Sequence, residues 1–138
     1  MNEKAKAHIQ RVNTSIITNL KANFPSILLF RDEITSEEAS AFEQGTRFWA
    51  MVFVLGALNP TDNRTKLTQT LQIDYYSEDR DDVDETVLDI ISTLLNVKTV
   101  EFVNTIPLRA KVKDTDRFVD VISINFRRSI PIECTNRI

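Results

Sequence analysis

Residues 77–86 read SEDRDDVDET and hold six carboxylates: Glu78, Asp79, Asp81, Asp82, Asp84 and Glu85. Acids at this density suit three purposes. They could bind a divalent cation, they could form a general acid/base pair, or they could start a helix and line a solvated surface. The spacing does not match an EF-hand loop, which needs alternating oxygen ligands, a central glycine and a distal glutamate. An acid/base pair needs one carboxyl in an apolar pocket that raises its pKa, and a string of acids on a polar turn is not that environment. A helix start does accommodate them. Helix N-termini expose unpaired N–H groups and partial positive charge, and each acid in the first turn stabilises by roughly 0.3–1 kcal/mol. Asp81 or Asp82 is expected to cap a helix beginning near residue 82, with Asp84 and Glu85 in its first turn. The acids left over, drawn from Glu78, Asp79 and Asp81, form a solvated acidic rim.

Other chemistry has little material. The two glycines, Gly45 and Gly56, cannot build a glycine-rich phosphate loop. His8 is the sole histidine and has no nameable partner, so histidine-based zinc sites and nucleophile triads are out of reach. Cys134 is the sole cysteine, which precludes an internal disulfide and fits a reducing compartment. No catalytic, cofactor-binding or metal-binding residue is assigned, and no enzyme is expected. The net charge of -3 offers no overall basic excess for gripping nucleic acid. No apolar run reaches the roughly 20 residues of a membrane span, and MNEKAKAHIQ lacks the apolar stretch of a signal peptide. The reading is a soluble intracellular protein: one domain over 1–130 and a C-terminal tail over 131–138, in a chain of 138 residues.

These residues are positioned by an alternation of helices and strands. Ile9, Val12, Ile16, Leu20 and Phe24 recur at helical spacing over 3–24, and Pro25 stops the helix. SILLF (26–30) reads as a short buried strand, and 31–46 as a long, acidic, exposed loop with Gly45 as a hinge. RFWAMVFVLGAL (47–58) is apolar on both faces. Phe48, Ala50, Val52 and Val54 point one way and Trp49, Met51, Phe53 and Leu55 the other, so a second subunit is expected to cover part of it. The turn NPTDNRT (59–65) leads to an alternating strand at 66–76, closing a hairpin. A helix follows over 82–96, on a stripe of Val83, Val87, Ile90, Ile91, Leu94 and Leu95. TVEFVN (99–104), IPLRAKV, a turn at 113–117 and FVDVISINF form a second hairpin, with Ile122, Ile124 and Phe126 inward and Pro131 ending the strand. The fold class is α+β in the order α-β-β-β-α-β-β. About five antiparallel strands form two hairpins, with two helices on one face.

The stretches NTSIITNLKANFPSILLFRDEI and LTQTLQIDYYSEDRDDVDETVLDIISTLL, with the closing VISINF, resemble bacteriophage tail terminator proteins. The likeness lies in pattern and order: a helix, "FP", a short strand into an acidic loop; then an alternating strand ending in a Tyr pair, an acidic turn and a helix. It covers nearly the whole chain and includes no invariant motif. The resemblance implies a non-catalytic ring, typically hexameric, at the head-proximal end of the tail tube. It would terminate tube polymerisation and join tail to head, with DNA passing transiently and non-specifically through the lumen. The implied partners are further copies of the chain, the tail tube protein and a head-completion or connector protein, without a membrane. The implied place is the tail or neck of the virion, after assembly in the host cytoplasm. Candidate interface residues are Glu37, Glu38 and Phe42 in the long loop, Trp49, Met51 and Phe53, Asp62 and Arg64 in the turn, and Arg127 with Arg128. Glu78, Asp79 and Asp81 are candidates for an acidic lumen or rim that repels phosphate. Two other readings stand beside this one: a head-completion or other minor virion protein of similar fold, and a small enzyme using aspartates and a divalent ion.

Overall fold

A computed structural model describes residues 1–34, 47–111 and 116–133. Helix α1 (Glu3–Asn23) leads into β1 (Leu28–Arg31), then β2 (Trp49–Pro60), β3 (Lys66–Ser77), helix α2 (Val83–Leu95), β4 (Val100–Lys111) and β5 (Phe118–Pro131). The order α-β-β-β-α-β-β is the expected one. The five strands form one sheet in the order β1-β2-β3-β5-β4. The sheet is mixed, which corrects the expectation of a purely antiparallel one. β1 runs parallel to β2, with Leu28 beside Ala50 and Arg31 beside Phe53, and the other three pairings are antiparallel.

Both helices pack on one face. Val12, Ile16 and Leu20 of α1 and Val87, Ile90 and Leu94 of α2 close over Met51, Phe53, Leu71, Ile73, Tyr75, Ile124 and Phe126. Burying each such side chain fully contributes on the order of 2 kcal/mol relative to leaving it in water. A smaller cluster lies on the opposite face, where Phe48, Ala50 and Val119 are packed by Phe30, Ile34 and Tyr76. The strand that begins at Trp49 is therefore buried on both sides by its own chain between Ala50 and Phe53. Over those four residues no second subunit is needed as cover, while the strand's far end stays open, with Leu58 55% exposed.

The β2–β3 hairpin is longer than expected, because β2 continues to Pro60. A bulge between Leu55 and Leu58 lets the two strands stay paired. Gly56 sits at that bulge, and a Cβ there would meet the Thr70 hydroxyl oxygen at 2.0 Å. The tip orders itself: Asn63 Oδ1 accepts the Thr65 N–H at 2.9 Å, and the Thr61 hydroxyl lies 2.8 Å from the Lys66 carbonyl. The segment after β5 is tied to the start of α1. The Glu133 N–H donates to Asn2 Oδ1 at 2.8 Å, and the Asn2 N–H donates to Glu133 Oε2 at 3.1 Å.

Candidate assembly interface

The acidic turn between β3 and α2 divides into three environments. Glu78 is 4% exposed and is not part of a solvated rim. Its carboxylate accepts the Phe48 N–H at 2.9 Å and one edge of the Arg117 guanidinium, at 2.7 Å from Nε and 2.5 Å from Nη2. The Arg117 hydrogen bonds, against the opposing effect of burial, hold the Glu78 carboxyl below the usual carboxylate range. Asp79 adopts a left-handed backbone with φ 55° and pairs with Arg47 at the surface. Asp81 alone of the three rim candidates is exposed and without an ion pair among the described residues. A run of local acids cannot reveal this partition, because Arg117 lies 39 residues away.

Helix α2 begins where expected, with Asp82 at the N-cap, but the Asp82 side chain makes no capping hydrogen bond. It is held by Arg80 through two 3.0 Å bonds, and that hydrogen bonding draws its pKa below the usual value. Arg80 in turn lies 3.9 Å from the ring centroid of Trp49, a cation–π contact. The Trp49 Nε1–H donates to the Tyr75 hydroxyl at 2.9 Å. Trp49, half-buried, is thus the base of a stack that orders the entry to α2. Among the described residues no three histidine, cysteine or acidic side chains gather as a metal site.

The other interface candidates separate. Met51 and Phe53 are 0% exposed beneath the helices and offer a partner no surface. Arg127 and Arg128 are not a pair, since alternation sends them to opposite faces of β5. Arg127 meets Glu101 at the surface. Arg128 is fully buried, donating to Gln69 Oε1 from Nε and Nη2, at 3.1 and 2.7 Å, and to Asn13 Oδ1 from Nη1 at 2.5 Å. It forms no ion pair among the described residues, and burial lowers its pKa. Its parity with Ile122, Ile124 and Phe126 was the available signal of an inward position. Asp62 and Arg64 are exposed in the β2–β3 turn. Glu37, Glu38 and Phe42 lie outside the described residues, as do Gly45 and Cys134.

Sequence reading missed the exposed apolar side chains of β4. β4 is a sheet edge, and its residues from Glu101 to Arg109 are all exposed. Phe102, Val103, Ile106 and Leu108, with Phe118 at the start of β5, are between 40% and 56% exposed. Phe102 stacks edge-to-face on the buried Phe126 at 5.9 Å on the helix-covered face, whereas Ile106 and Leu108 pair with Ser123 and Val121 on the opposite face of the edge strand. Pro107 lies mid-strand and has no N–H, which interrupts the edge as a template for an added strand. The comparison with protein-family models and that with curated proteins give no match.

Proposed function

We propose that this chain is a structural phage protein that assembles as a ring, with six copies, on the head-proximal end of the tail tube. There it ends tube polymerisation and joins the tail to the head, and DNA passes through its lumen. The order of elements, shared with the tail terminators it resembles, frames the reading. The observation that carries it is the exposed β4–β5 edge. Monomeric proteins rarely leave large apolar side chains clustered along an edge strand, and such patches mark association surfaces. The interruption at Pro107 disfavours open-ended strand addition and suits a closed assembly whose growth stops.

Charge agrees with passage of DNA rather than its capture. The chain is net acidic, and the arginines that meet the acidic turn are each committed to a carboxylate: Arg47 to Asp79, Arg80 to Asp82 and Arg117 to Glu78. Little positive charge is left in this region to hold phosphate. The test is to add the purified chain to polymerising tail tube protein and image the product. Rings capping one end of tubes of arrested length are expected, and Leu108→Asp should abolish them. Tubes that grow to unchanged lengths with no bound chain would contradict the proposal; binding to head-side connector rings instead would favour the head-completion reading.

A further inference from the structure

The two helices, which lie side by side over the sheet, carry opposite charge. α1 holds Lys4, Lys6, Arg11 and Lys21 against a single acid, Glu3, which is taken up by the N-terminal ammonium. α2 holds Asp84, Glu85 and Asp89 and no lysine or arginine. No ion pair among the described residues joins one helix to the other, although the helices touch. The acidic helix also leaves two large apolar side chains in water: Leu88 is 62% exposed and Leu95 is 48% exposed. Asp84, Leu88 and Leu95 follow one another at spacings of four and seven residues, which puts them on one stripe of the helix. Ile91, between the two leucines, packs on the core beneath.

We infer that this stripe of α2 docks on α1 of a second copy of the chain, head to tail. This rests on the ring proposed above and names the surfaces that would form it. A second copy is the occupant because a surface of complementary charge is present in the chain itself and is unpaired among the described residues. The sign of each helix decides which surfaces meet. Contacts of α2 on α2, or of α1 on α1, would oppose like charges, which repel. α2 against α1 brings opposite charges together, and the ring proposed above takes that pairing in its heterologous form. The leucines supply the apolar centre, and the charges around them fix register and partner.

The experiment is charge reversal read by sedimentation of the full chain over a range of concentrations. One variant carries Asp84→Lys and Glu85→Lys, a second carries Lys4→Glu and Lys6→Glu, and a third carries all four. Leu88→Ser removes the apolar anchor without changing charge, and Trp49 emission with helix content confirms that each variant is folded. The first two and Leu88→Ser should each weaken association by at least about 100-fold, because like charges or lost burial meet at the contact. The four-fold variant should recover most of it. Raising salt to about 1 M should weaken the wild type, since screening shortens to about 3 Å there. Assembly of the wild type with indifference to all four variants would overturn this contact and leave the ring intact. Reversals that fail to rescue each other would also overturn it. A wild-type chain that stays monomeric both alone and with tail tube protein would overturn the contact and the ring together.

Discussion

Glu78 joins three segments that are distant in sequence: the end of β3, the Phe48 N–H before β2, and Arg117 before β5. Replacing it with alanine removes the acceptor of the Phe48 N–H and the carboxylate that Arg117 holds, and should cost about 2 kcal/mol in denaturant unfolding. The pH dependence has a definite sign. Arg117 lowers the folded pKa of Glu78, so the ion pair's contribution is complete above the unfolded value of about 4.3 and is lost as pH falls through the lower folded value. Glu78→Gln should therefore be less stable than wild type at pH 7, with the difference narrowing below about pH 4. A constant difference across that window would show that the charge does not act. Arg128 makes the second prediction at this scale. Arg128→Ala should cost about 3 kcal/mol, because it empties a buried site and strands Gln69 and Asn13. Arg128→Met keeps the stem's volume and should cost less; equal losses would mean that the hydrogen bonds, not packing, dominate. The alternation of β5 made Arg128 legible as inward-facing, whereas nothing local to residue 78 announces a partner 39 positions away.

At the scale of elements, periodicity carried most of the fold. The stripes of α1 and α2 and the alternation of β3 and β5 bury as their spacing requires, except that Leu95 at the end of the α2 stripe is exposed. What periodicity cannot carry is partner and direction. A four-residue strand such as Leu28–Arg31 reads identically in a parallel and an antiparallel pair. Nor does a strand's local pattern say whether it lies at an edge, so the exposure of β4 emerges only from strand order. The entry to α2 is a clear case of a right position with a different mechanism. Asp82 stands at the N-cap, yet acts through Arg80 and its stack on Trp49. Trp49 is the sole tryptophan, so its fluorescence reports that stack directly. Both Arg80→Ala and Asp82→Ala should shift its emission to the red, and an unchanged spectrum in Asp82→Ala would show that Arg80 holds its place without the carboxylate. Gly56→Ala should cost about 1–2 kcal/mol, since a methyl group there presses on Thr70 at the bulge of the β2–β3 hairpin.

The whole molecule is asymmetric in a way that suits assembly. One sheet face is covered by helices of opposite charge, and the far edge presents apolar residues interrupted by a proline. The doubly apolar β2, which on sequence alone asked for a partner, is satisfied within the chain between Ala50 and Phe53. Apart from Met1, Leu28 and Leu58, the large apolar residues left exposed among the described ones lie on β4, at the start of β5 and along α2. These surfaces were not legible because an exposed leucine and a buried one look alike in sequence until the layers are known. The central claim is that the chain ends tail growth and couples tail to head. The most direct measurement is the length distribution of tails in particles assembled without this chain, taken by electron microscopy. Tubes of uncontrolled length, none joined to a DNA-filled head, are predicted. Tails of normal length joined to heads in the absence of the chain would contradict the account.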